Sequence, residues 1–153
     1  MTRDGLIGVE WIRAHHAGAI LSSGEYGGQQ WVQLEPDSLV DVCRGLREDP
    51  ETAYSMLIDV TAVHWPDDDE PMELVYHLYS LDKNDRLRIK VRCADEGPVP
   101  SLTAVWRSAD WNERETYDMF GIRFTGHPDL RRILMPEDYT DFPLRKEFPL
   151  YRS

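Results

Sequence analysis

The sequence predicts an α+β fold: a mainly antiparallel sheet with helices packed on one face, plus an extended C-terminal tail. Three observations carry this reading. Residues 86–93 alternate completely, with Leu87, Ile89, Val91 and Cys93 on one side and Arg86, Arg88, Lys90 and Arg92 on the other, the period of a half-buried strand. Leu39, Val42, Cys43 and Leu46 fall at i, i+3, i+4 and i+7, one apolar face of a helix. The element order reads helix, strand, strand, helix, three strands, helix, which suits helices gathered on one side of a sheet.

The elements follow in order. Val9 to Ala17 has Val9, Ile12 and His16 on one side and meets Gly18, a helix-stopping residue. Ala19 to Ser22 reads as a short strand, Gly24 to Gly28 as turn material, and Gln30 to Leu34 as the next strand. Hairpin chemistry accounts for Gly27-Gly28, since no Lys-Ser/Thr follows as a phosphate loop requires. Pro36 sits where a first helical turn accepts proline, and Asp49-Pro50 closes that helix. In Met56 to Val63 the pattern puts Met56, Ile58, Val60 and Ala62 on one face. In Met72 to Leu81 it groups Met72, Leu74, Tyr76 and Leu78. Asp82 to Asp85 is a hairpin turn, and the acidic run 66–71 is a solvated loop, because adjacent acids diverge where cation loops space their ligands. Gly97 to Pro100 breaks the sheet, Ser101 caps a short helix with Leu102, Val105 and Trp106, and a last helix runs from about Asp110 to Phe120 before Gly121. The expected division is 1–125 as a globular domain and 126–153 as a partner-binding tail.

Bulk properties remove several functions. At 153 residues, 41% hydrophobic and 29% charged, the chain is long enough for one folded domain. A net charge of −11 argues against nucleic acid, whose phosphates call for clustered Lys and Arg. Residues 1–106 hold 9 basic and 19 acidic side chains, whereas residues 107–153 hold 8 and 9. The mixed signs of the back suit ion pairs within the fold or across an interface. Cys43 and Cys93 read as small buried hydrophobes, too few for a four-cysteine iron–sulfur cluster. Thr2-Arg3-Asp4-Gly5 is unlike a secretory leader, and no apolar run approaches the ~20 residues of a membrane span. A cytoplasmic, reduced chain is the expectation.

Catalytic and metal constellations are thin. Glu113 and Glu115 are two apart on a helix, so they diverge by roughly 200° and cannot flank one bond. Arg114 and Asp118 stand at i, i+4, and ion pairing is the preferred reading of Glu113, Arg114, Glu115 and Asp118 over acid–base work by Glu115 and Asp118. No His-x-x-x-His or Cys-x-x-Cys spacing marks a zinc site, and the one metal candidate is His64 with His77 across neighbouring strands. His127-Pro128-Asp129 is the tripeptide of Hsp70 co-chaperone J-domains, but here it follows a strand-like Ile122-Arg123-Phe124 instead of joining two helices. A chaperone adaptor or regulatory binding module using it is the alternative function. The tail repeats Phe142-Pro143-Leu144 and Phe148-Pro149-Leu150 around Arg145-Lys146. Such a strap favours extended backbone and can lay side chains into successive partner pockets.

These residues also carry a resemblance. Glu113 to Ile122, then Gly126-His127-Pro128-Asp129-Leu130-Arg131-Arg132-Ile133-Leu134, then Phe142 to Pro149, resemble the signature of the 30-kDa-type subunit of respiratory complex I, the proton-pumping NADH:quinone oxidoreductase. The order of the earlier elements is similar too. One departure is Asp141, where the family usually has Gly before the aromatic-Pro-Leu-Arg-Lys segment.

The resemblance implies a non-catalytic structural and assembly subunit in the quinone module of the peripheral arm. Its signature and ion-pair network would comprise Glu113, Arg114, Glu115, Asp118, Gly121, His127, Pro128, Asp129, Arg131 and Arg132. Its partner interface would comprise Arg131, Arg132, Phe142, Pro143, Leu144, Arg145, Lys146 and Phe148. The protein would brace the 49-kDa-type (D-type) subunit beside the B-type and I-type iron–sulfur subunits. It would carry no cofactor itself; FMN, iron–sulfur clusters and quinone would sit on other subunits. Its place would be the cytoplasmic face of the cell membrane, with membrane contact only through the complex.

Overall fold

A computed structural model describes residues 4–128 and Leu130. The order is α1 (Leu6–His15), β1 (Ile20–Tyr26), β2 (Gln29–Leu34), α2 (Leu39–Glu48), β3 (Met56–His64), β4 (Met72–Ser80), β5 (Asp85–Cys93), β6 (Val99–Pro100), α3 (Ala109–Phe120) and β7 (Phe124–Thr125). Five strands form one sheet in the order β1-β2-β5-β4-β3. All neighbours are antiparallel except β2 and β5, where Trp31, Val32 and Gln33 run beside Arg88, Ile89 and Lys90. The chain leaves β2 through α2, reaches the far edge as β3, and returns by two hairpins, which brings β5 alongside β2 in the same direction. A separate parallel pair joins β6 to β7.

The core lies between the helices and one face of this sheet. Leu74, Tyr76, Leu87, Ile89 and Val91 are fully buried there, together with Leu39, Val42, Cys43 and Leu46 of α2. Each such aliphatic side chain contributes about 1.5–3 kcal/mol by leaving water. Both cysteines are free and buried, and burial raises both thiols, Cys93 to about 11. They serve as apolar filling, as the sequence suggests.

Several expectations need correction. Helix α1 begins at Leu6, not Val9, and Gly18 falls in a 3-10 turn at Ala17–Ala19. The start is set from far away: the Asp85 carboxylate accepts the Gly5 N–H at 3.0 Å and the Tyr54 hydroxyl proton, a cap that no local pattern announces. Strand β1 continues through Gly24, Glu25 and Tyr26, leaving only Gly27-Gly28 as the turn. In β3 the buried apolar residues are Leu57 and Val60, whereas Met56 and Ile58 are 45% and 52% exposed. A bulge between Leu57 and Asp59 shifts the register, so the residues before it are turned over while Val60 and Ala62 beyond it keep the face that alternation implies. Residues 101–106 form turns, not a helix, and the Ser101 hydroxyl and the Leu102 N–H bond to a carboxylate of α3. His64 pairs with Met72 in register and His77 with Asp59, so the two histidines stand at different ends of the strand pair and do not form a metal site.

Candidate functional site

Helix α3 and the segments it touches bring the signature residues together. The helix buries Ala109, Glu113 and Thr116, spaced i, i+4 and i+7, against the sheet. It lies along β3, the sheet edge, and meets it with two hydroxyls. Ser108 Oγ donates to the Leu57 carbonyl at 2.8 Å, and the Thr116 hydroxyl shares its one proton between the Asn112 carbonyl at 2.9 Å and the Val60 carbonyl at 3.3 Å. The bulge makes these contacts possible by placing Leu57 and Val60 in the same phase. Covering an edge in this way removes a template for unwanted strand pairing.

Glu113 is the chemical centre of this arrangement. It is fully buried, and its oxygens accept the Ser101 hydroxyl proton at 2.6 Å and the Leu102 N–H at 2.7 Å. Burial raises its carboxyl to about 7; the two donors oppose that rise and Asp110 adds to it. The Tyr76 hydroxyl from β4 faces the same interior and is driven well above its usual range, first by burial and then by Glu113. The turn that Glu113 gathers is fixed on its other side as well. Arg47 Nη1 donates to the Val105 carbonyl at 2.6 Å, and Trp106 Nε1 donates to the Tyr54 carbonyl at 3.1 Å.

Other signature residues radiate from α3. Glu115 is half-buried and lines a groove of about 260 Å³ between α3 and β3 with Asp59, Met119 and Phe120. Glu113 points inward and Glu115 does not, as the roughly 200° divergence requires. Arg114 lies over the Trp111 ring at 5.9 Å, Arg123 lies over the Tyr117 ring at 5.6 Å, and Asp118 is fully buried. Gly121 ends the helix at φ 83, donating its N–H to the Tyr117 carbonyl; this left-handed cap suits glycine. After β7 the backbone folds back onto the start of α3. His127 Nε2 is 3.1 Å from the Asp110 carbonyl oxygen and 3.2 Å from its carboxylate, and the imidazole is fully enclosed. Pro128 follows on the surface, and Leu130 packs against the core. Asp129, Arg131, Arg132, Phe142, Pro143, Leu144, Arg145, Lys146 and Phe148 lie outside the described residues.

No cluster of three or more metal-ligating side chains occurs among the described residues, and no helix among them is long and apolar enough to cross a membrane. The model of the family described as "Respiratory-chain NADH dehydrogenase, 30 Kd subunit" matches residues 32–153. The chain belongs to this family.

Two relatives within it are similar over nearly the whole length. The chain is 46% identical over 151 residues to the C-type subunit of the NADH-quinone oxidoreductase of Roseiflexus sp. (strain RS-1), covering 98% of this chain and 87% of that one. It is 44% identical over 151 residues to a C-type subunit of the NADH-quinone oxidoreductase of Rhizobium meliloti (strain 1021), covering 98% and 82%. Among solved structures it resembles one polypeptide of the membrane-bound sulfane sulfur reductase, an archaeal respiratory membrane complex. The TM-score there is 0.76 and the identity 25%, over 93% of this chain and 84% of that one. Glu113 reads in the sequence as an ion-pair residue; in the structure it is buried and bonds Ser101 and Leu102. The signal that could have found it is its spacing from Ala109 and Thr116, which puts it on the apolar face.

Proposed function

We propose that this protein is a non-catalytic structural and assembly subunit of a proton-translocating NADH:quinone oxidoreductase. It braces the 49-kDa-type subunit in the quinone module, at the cytoplasmic face of the membrane. The observation that carries this is the family match, which runs from residue 32 through the charged helix and the aromatic-proline tail to residue 153. The mechanism is positional. A rigid α+β body, with α3 bonded to the sheet edge and to the 101–106 turn, gives a fixed base from which the tail reaches a partner. The tail prolines limit the ordering cost of docking. Fixing the partner fixes the quinone cavity and the electron-transfer distance in it. Glu113, committed to Ser101 and Leu102, suits this structural role. FMN, iron–sulfur clusters and quinone then belong to other subunits, including the B-type and I-type iron–sulfur proteins.

The test is affinity purification of the tagged full-length protein from gently solubilised native membranes, with mass spectrometry of what accompanies it. Stoichiometric recovery of the 49-kDa-type subunit with iron–sulfur subunits is the expected result. A protein recovered alone from the soluble fraction would overturn the reading.

A further inference from the structure

We infer that the helix-free face of the sheet is a second docking surface, built to receive an acidic surface of a neighbouring subunit. The inference rests on the assembly role proposed above. Three cations of β5 stand on this face over aromatic rings. Lys90 Nζ lies 4.3 Å from the Trp31 ring centroid, Arg86 Cζ 5.5 Å from Tyr79 and Arg88 Cζ 5.9 Å from Tyr26. Tyr26 is 72% exposed. The three cations come from alternate residues of one strand, so they form a row roughly 14 Å long.

The next cation along the strand shows what is unusual here. Arg92 is neutralised, with Nη2 2.6 Å from the Asp68 carboxylate and a second bond to the Glu70 carbonyl. Among the described residues, no carboxylate lies within 4 Å of Arg86, Arg88 or Lys90. In a protein of net charge −11, three adjacent cations thus lie over rings and, among the described residues, away from carboxylates. A ring holds a cation in place without cancelling its charge, so a docking carboxylate meets a pre-positioned, still-charged donor. Arg, Trp and Tyr are also the side chains enriched at interface hot spots. The patch size selects the occupant. A bilayer or a nucleic acid spreads its charge far beyond a row of this length, and the protein as a whole carries a net charge of −11. A cluster of carboxylates on a folded partner matches the row and stops with it.

The test uses a zero-length carbodiimide, which joins a lysine amine to a carboxylate in direct contact. The sequence has three lysines, Lys83, Lys90 and Lys146, so each link can be assigned. The reagent is applied to the complex purified through the tagged full-length protein, and linked peptides are mapped by mass spectrometry. The expected result is a link from Lys90 to an Asp or Glu of another subunit, lost in Lys90→Arg, with the Arg88→Glu/Lys90→Glu variant released from the complex at lower salt. Links from Lys90 only within its own polypeptide, with unchanged salt release of the double variant, would overturn the inference. Lys146 reports on the tail independently. A link from Lys146 without one from Lys90 sinks this inference alone, and absence of any accompanying subunit sinks the assembly role itself. Binding of the purified protein to phosphatidylglycerol vesicles, abolished in the double variant, would overturn the assignment to a protein partner.

Discussion

Glu113 on α3 accepts the backbone N–H of Leu102 at 2.7 Å, joining a helix of the family signature to a turn eleven residues earlier. The same carboxyl sets a pH dependence. In the folded protein burial raises the Glu113 carboxyl from 4.5 to about 7. The folded state therefore keeps a proton that the unfolded state has already lost. This stabilising contribution is complete below about pH 4.5 and fades as pH rises toward 7. Glu113→Gln keeps an acceptor for Leu102 and a donor for Ser101 but cannot ionise. Between pH 5 and 8 the wild type should lose on the order of 2–3 kcal/mol relative to the Gln variant. Urea unfolding of both proteins at the two pH values measures this. Parallel pH curves would show that the carboxyl titrates in its ordinary range.

Gly45 sets helix propensity against packing. It lies in α2, where alanine favours the helix by about 0.8–1 kcal/mol over glycine. Yet a Cβ there would sit 2.2 Å from Cη2 of Trp11, whose indole is held by a 2.7 Å bond from Nε1 to the Asp49 carboxylate. Overpacking of this kind costs about 1–3 kcal/mol. The backbone of α2 cannot yield easily and the indole is tethered, so packing should win. Gly45→Ala is expected to lower the thermal midpoint; a rise would mean that Trp11 swings free.

The extent to which the sequence declares this fold follows from which contacts are local. The strand 85–93 and the helix 39–48 are legible because their periodicity is written in consecutive residues, and Leu87, Ile89, Val91 and Leu46 are buried as their spacing requires. The start of α1 is not, because its cap comes from Asp85, eighty residues away. The face order of β3 breaks at the bulge between Leu57 and Asp59: Val60 and Ala62 beyond it face the core as alternation implies, whereas before it Leu57 turns in and Met56 and Ile58 turn out. At the site, Gly121 and the limits of α3 can be read directly. The inward turn of Glu113 cannot, because a carboxylate on an apolar face reads as an error in the pattern until its partners at Ser101 and Leu102 are known.

The two hydroxyls that α3 lays on the sheet edge should matter for local order. Ser108 and Thr116 bond the Leu57 and Val60 carbonyls. Removing both with Ser108→Ala and Thr116→Val leaves two edge carbonyls poorly served and should cost about 1–3 kcal/mol in total. Loss of protection in amide hydrogen exchange should concentrate in β3 and α3. A uniform loss across all five strands would indicate that these bonds serve global stability and not the edge.

Charge reversal at Arg145 separates docking from folding. Arg145 and Lys146 stand between two aromatic-proline units in a segment of alternating sign. The assembly role gives these cations a partner to meet, and the core of the domain is built without them. A reversed charge at a desolvated contact costs about 2 kcal/mol or more, roughly 30-fold in affinity. Arg145→Glu should therefore unfold at the same temperature as the wild type while recovering much less of the 49-kDa-type subunit from native membranes. Arg145→Lys should restore part of that recovery, because it returns the charge without the planar donor geometry. Equal recovery in all three proteins would remove Arg145 from the docking surface. A lowered melting temperature in Arg145→Glu would show instead that the tail cation is held by the protein's own acidic body.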